Sequence, residues 1–210
     1  MTDFHRTSVN DRSFIRGAAR LLYQPVGSTQ PTQISDVIAL ASSVGPPAVA
    51  LYDPVGDWVD LGATKTGIQI SHNNAEETFD VDQIYGDIAS QPTNWEVSVA
   101  TQLAEFTPER LQIAWEGSAI SEANSEQSIG FGQPTAYTQR QLAVAYQRPN
   151  GKIRVYVFWK VQRTPQESTV THAKTGEQVS VPVRFRVIAD TTRVDPLDRF
   201  FRIYDQDLPV

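Results

Sequence analysis

The sequence predicts a mainly β protein, a β-sandwich or half-barrel of about eight or nine strands with one packed α-helix. Three observations carry this expectation. Residues 95–103, 153–161 and 181–187 alternate apolar and polar side chains at the period of two that a half-buried strand requires. Clusters of Gly, Pro and Asn separate the alternating stretches. Only residues 107–117 carry the punctuation of a helix.

Residues 1–12 are polar and predict a disordered segment or an arm. Residues 14–23 predict a first strand, with Phe14, Ala18 and Leu22 apolar, although Ile15 and Leu21 break strict alternation. Residues 24–33 are turn-rich, and Gly45-Pro46-Pro47 is a hard break. Residues 48–52 predict a short strand, stopped by Asp53-Pro54-Val55-Gly56. After the turn-rich residues 61–67, Ile68, Gln69, Ile70, Ser71 and His72 alternate. Asn73-Asn74 predicts a turn, and residues 76–84 a returning strand carrying Asp80 and Asp82, broken at Gly86. The long alternating stretch 95–103 follows.

The helix has several coincident signals. Thr107 suits the N-cap, Pro108 the first helical position, and Glu109 the positive end of the helix dipole. Leu111, Ala114 and Trp115 share one face, and Gly117 supplies a stop. About three turns of helix are stable only when packed on a sheet. Residues 118–135 are polar and predict a long loop or insertion. Residues 140–147 and 152–162 predict a hairpin around Pro149-Asn150-Gly151, where Asn-Gly suits the left-handed turn. In its second arm Tyr156 and Phe158 lie opposite the apolar face of Ile153, Val155, Val157, Trp159 and Val161, so both faces should be covered. Residues 179–189 predict a strand with Val181, Val183, Phe185 and Val187 inward and Arg184 and Arg186 outward, and residues 199–204 a last short strand.

Composition excludes several functions. The chain of 210 residues contains no Cys, so disulfide and thiol chemistry are absent. No apolar run approaches the roughly 20 residues of a membrane helix, and the polar start does not predict a secretory signal. The formal charge is −6, with no basic stripe of the kind that grips phosphates. His5, His72 and His172 are scattered, and neither H-E-x-x-H nor G-x-S-x-G occurs. Gly62 to Gly67 superficially suggests a phosphate loop, but it lacks the Gly-Lys-Ser/Thr ending and precedes a strand. Asp80 and Asp82, two apart on a strand, would share a face as paired carboxylates do, yet no partner histidine or ligand lies near them. No catalytic residue, metal site or cofactor is predicted.

The order of pieces from residue 62 to 117 resembles the tail tube (major tail) proteins of long-tailed bacteriophages: a Gly-bounded entry, an acidic strand, a long strand and a capped helix. The strands at 153–161, 181–190 and 200–204 extend the likeness, so it covers about residues 58–205. The resemblance implies the tail-tube fold over residues 51–210; it explains neither the loop insertion at about 118–135 nor residues 1–50, which the residues themselves give as an N-terminal arm and first strand region. It implies a non-enzymatic virion subunit, assembled in the host cytoplasm into stacked hexameric rings. Its partners would be copies of itself, the tape-measure protein and other tail proteins, and genomic DNA would pass through the lumen without specific binding. Other tail parts share this fold.

On that resemblance, polar residues of the matching strands would line the lumen: Gln69 and Ser71, then Glu76, Thr78, Asp80 and Asp82, then Glu96, Ser98 and Gln102; the alternative is that they face outward. No Lys or Arg lies between Gly67 and Glu109, although the chain has 18 basic residues. A conduit gains from this, because cationic groups would hold phosphate by releasing counterions. Residues 1–12, 62–67, 85–93 and 118–135 would be available for ring-to-ring contacts. The alternative from the residues themselves is a monomeric binding module, such as a carbohydrate binder, using an aromatic platform. Among Trp58, Trp95, Trp115 and Trp159, only Trp58 lacks a predicted apolar face.

Overall fold

The most buried strand is β8 (Ile153–Arg163), and its alternation shows how the rest is arranged. Ile153, Val155, Val157 and Trp159 point to one side, and Tyr156 and Phe158 to the other. Both sides are covered, which is why apolar residues occupy both parities. The computed structural model describes residues 19–40, 52–81, 84–105, 107–123, 126–134, 136–147, 152–164 and 180–206, with the backbone alone over 78–81 and 84–93.

Eight strands form one antiparallel sheet, in the order β2 (Val59–Asp60), β1 (Arg20–Pro25), β7 (Gln139–Gln147), β8, β9 (Val181–Val187), β4 (Ile84–Leu103) and β3 (Thr64–Val81). The eighth, β10 (Phe201–Asp205), pairs with the first half of β8, opposite residues 154–158, while β9 pairs with its end at Val161–Arg163. The sheet therefore forks at β8. A bulge marks the fork: Arg140 lies opposite Val161 and Leu142 opposite Phe158, so Trp159 and Lys160 together face Gln141. The extra residue turns Val161 onto the face that carries Phe158, in register with Val187 on β9.

The first apolar cluster fills the concave side. Leu21, Leu142, Val144 and Phe158 from one limb meet Val97, Val99, Leu103, Val183 and Phe185 from the other, so the sheet curls over itself as a half-barrel. Helix α1 (Pro108–Ala114) closes one side with Ile113 and Ala114. Each fully buried large side chain contributes about 1.5–3 kcal/mol of transfer free energy. The second cluster lies on the opposite face of β1, β7 and β8. There Ile34, Val37, Ile38, Tyr52 and Trp58 cover Leu22, Ala143, Ala145, Val155, Val157 and Trp159. This layer is pinned by the buried Arg20–Asp60 ion pair at 3.1 Å and by the Tyr204 hydroxyl donating to the Pro31 carbonyl at 2.8 Å. β1, which precedes residue 50, pairs with β2 and β7, which follow it.

Several sequence expectations are corrected. Asn73-Asn74 is no turn: β3 runs through it, paired to Trp95 and Glu96, and returns only between Val81 and Ile84. Asn tolerates a left-handed turn without requiring one, and Tyr52 is the only described non-glycine residue with positive φ. Gly86 does not break β4, which continues from Ile84 to Leu103 and includes all of the expected 85–93 loop. Residues 118–135 are not a loop. They contain a second sheet, β5 (Ser118–Ala123) with β6 (Glu126–Phe131), whose two faces are both largely exposed and so leave no alternation to read. The helix has seven residues rather than three turns, because Trp115 is already extended and Gly117, at φ +83°, leads into β5. The first described strand starts at Arg20; residues 1–18 and 41–51 lie outside the described residues.

Candidate assembly face and edge

β3 and β4 form a hairpin far longer than the sheet that anchors it. β9 pairs with β4 only from Ser98 to Leu103, whereas β3 follows β4 from Leu103 back to Ile84. At about 3.3 Å per residue, the part of β3 beyond His72 projects roughly 30 Å. β3 is also the end of the sheet, with no strand partner on its outer side among the described residues. The bulge between Thr64 and Ile68 distorts the start of this edge, but pairing from Ile68 to Ala75 is regular. β3 contains no proline to protect it.

Register separates the expected lumen residues. Gln69 lies opposite Ala100, Ser71 opposite Ser98, and Asn73 opposite Glu96. Ser98 and Ala100 in turn lie opposite Arg186 and Arg184. Alternation thus puts Gln69, Ser71, Glu96, Ser98 and Gln102 on one face of β3, β4 and β9. The other face carries Ile68, Ile70, Val97, Val99, Thr101 and Leu103. Glu76 is exposed and falls on the alternation of His72 and Asn74, not that of Ser71, because β3 does not turn where a turn was expected. The compensating extra residue is Thr93 on β4, since Ala75 faces Asn94 and Glu76 faces Pro92. Thr78 and Asp80 lie within β3, their side chains outside the described set; Asp82 lies outside the described residues altogether.

The shared face is polar and of mixed charge. Ser98 is buried, and its Oγ is 3.1 Å from Arg184 Nη2, the donor. Gln102 Oε1 accepts from Ser180 Oγ at 3.4 Å. Arg184 and Arg186 are exposed, so the gap in basic residues along residues 67–109 does not extend to the face as folded. Neighbouring strands supply cations that a stretch-by-stretch reading does not bring in.

The aromatic residues also fall differently. Trp58 is buried, whereas Trp95 is 47% exposed, with the His72 ring 4.2 Å and the Phe200 ring 6.2 Å from it. Trp95 keeps its alternation, but β9 pairs with β4 only from Ser98 onward, and Phe200 covers Trp95 only in part. Val194 and Leu197 are almost fully exposed. Nothing in the sequence marks them, since they lie outside any periodic stretch.

Among the described residues, no group of three or more His, Asp or Glu side chains could hold a metal ion, and no helix is long and apolar enough to cross a membrane. No protein-family model matches the chain, and no curated protein matches it.

Proposed function

We propose that this protein is a structural subunit that self-assembles into stacked rings around a lumen, as a tail tube does, and that it is not an enzyme. The observation that carries the reading is the β3 edge, a regular open strand on a hairpin that projects beyond its sheet. An unpaired edge of this length is a template for another strand, and natural proteins protect such edges or use them. Addition of the next copy along β3, repeated around a closed ring, removes the edge. The face of Gln69, Ser71, Glu96, Ser98 and Gln102 would then form the inner wall, with DNA passing and the tape-measure protein filling it before ejection.

The test is light-scattering mass with negative-stain electron microscopy of the concentrated chain. Rings or tubes with an open lumen support the reading, and a monomer at every concentration counts against it. The arginines sharpen a second measurement. A conduit should not retain duplex DNA at physiological salt; retention by the assembled wild type, lost in R184S/R186S, would overturn the conduit role. A second reading, a monomeric glycan-binding module, is favoured by the exposed Trp95 beside Phe200. A glycan screen of wild type against Trp95→Ala tests it.

A further inference from the structure

The segment between β9 and β10 displays two apolar side chains on a stiff frame. Val194 is 97% exposed and Leu197 94%. The neighbours of each are fixed. Arg193 lies 3.7 Å over the Trp159 ring and donates through Nε to Asp198 at 2.9 Å. Asp195 accepts from the Leu197 backbone N–H at 2.9 Å, and Asp198 also holds Arg202 at 2.7 Å. Side chains displayed on an already ordered loop lose little entropy on binding, which favours their use as anchors.

The same chain carries an opening of matching character. A cavity of about 650 Å³ lies on the concave side of the half-barrel, walled by Ile68, Ile70, Val144, Tyr146 and Tyr156, with Lys65 among its lining residues. Neither Val194 nor Leu197 lines this cavity in its own chain. The loop that would enter carries the exposed Asp195 between its two anchors, opposite in charge to Lys65.

We propose that the 194–197 loop of one copy seats Val194 and Leu197 in this opening of a second copy, with Asp195 beside Lys65. The inference rests on the self-assembly reading and specifies one of its contacts. Because loop and opening are different surfaces, the contact is heterologous, and each copy can both give and receive. Such a contact propagates into a ring or a stack rather than stopping at a dimer.

The experiment uses the full chain in sedimentation velocity. V194D/L197D removes the anchors and I70R fills the opening; each alone should associate less than the wild type, with only the β3 edge left to join copies. Mixed in equal amounts they should regain part of the lost association, since one sound loop and one sound opening can meet. A conservative cycle guards against misfolding of I70R. Asp195→Asn keeps the backbone cap, and Asp195→Asn and Lys65→Gln should each weaken association up to about tenfold, with the double variant no worse than either single one. Wild-type association unchanged in V194D/L197D overturns this contact while leaving self-assembly standing. Independent effects in the cycle, or a mixture that associates no more than either variant alone, also overturn it. If I70R loses thermal stability but associates normally, residues 1–18 of the same chain occupy the opening instead. A wild type that never associates removes both this contact and the reading beneath it.

Discussion

Asp198 holds two arginines of its own segment, and one of them reaches two other parts of the chain. It accepts from Arg193 and from Arg202, at 2.9 Å and 3.0 Å for the two Nε donors, and Arg193 reaches on to Gln30 and across Trp159. Asp198 is buried, so Asp198→Ala leaves two guanidinium groups without their acceptor. A loss of about 2–3 kcal/mol is expected, read as a lower urea midpoint at unchanged slope. A change within about 0.5 kcal/mol would place this network among the many surface ion pairs that contribute nothing measurable. Carboxylates also set the acid limit. Asp36 is held below the ordinary carboxylate value first by the Thr32 backbone N–H at 2.8 Å; burial opposes it as the second effect, and the Gln33 and Thr32 side chains and the Gln33 N–H bring the net shift down. For Asp190 burial pushes upward, but the Thr192 hydroxyl and N–H with Arg193 and Lys160 outweigh it, and the net shift is down. A depressed folded value stabilises fully above the unfolded value of about 3.9, and that stability is lost as pH falls through the folded one. Thermal midpoints should therefore be flat above about pH 5 and fall below pH 4, and less steeply in Asp36→Asn. An identical acid slope in that variant would show that Asp36 is not a contributor.

The β5–β6 hairpin is tied to the fold at its base. The Gly132 N–H donates to the Gly117 carbonyl at 2.8 Å, and Trp115 packs edge-on to Phe131 at 5.2 Å. At φ +83° a Cβ on Gly117 would stand 2.5 Å from the Gly132 oxygen and 2.8 Å from Pro134. Gly117→Ala should cost about 1–3 kcal/mol and speed proteolytic cleavage within residues 118–131. Unchanged cleavage would mean that the hairpin does not depend on this corner. The same corner shows what sequence can convey. Alternation is legible where one face is buried and the other is not, as in 95–103 and 181–187. It vanishes in β5 and β6, where both faces meet solvent, and so a hairpin resembles a loop. The Thr107 cap and Pro108 were legible because capping is local chemistry, and the Thr107 Oγ1 does accept from the Arg110 N–H at 3.4 Å. The early end of the helix was not, because Trp115 turns extended to place its ring against Phe131, a partner sixteen positions away. Asn73-Asn74 misled for the same reason: whether a permissive residue turns is decided by the strand it pairs with. Among the described side chains of the expected set, Gln69, Ser71, Glu96, Ser98 and Gln102 share a face and Glu76 does not, since a face is a property of register and the expected turn would have reversed the parity of Glu76.

At the scale of the whole molecule, stability and assembly are separable along the β3–β4 hairpin. The half-barrel needs β4 from Val97 to Leu103, whose side chains enter the first apolar cluster beside β9. None of the described side chains between Asn73 and Glu96 belongs to either apolar cluster. The projecting arm is thus held by its own pairing, and a two-stranded ribbon alone is marginal in water. An arm kept at that disadvantage, with an open edge, is explained if a neighbouring copy completes it. Replacing residues 76–93 by Asn-Gly joins Ala75 to Asn94, already opposite each other, with a turn that suits a two-residue hairpin. The shortened chain should unfold within about 1 kcal/mol of the wild type, because the removed part contributes no core burial among its described residues. It should also form no rings or tubes at concentrations where the wild type does, measured by light scattering and electron microscopy. Loss of folding together with assembly would show that the arm is part of the folding unit. Assemblies indistinguishable from wild type would show that the edge from Ile68 to Ala75 is sufficient and the projection has another purpose.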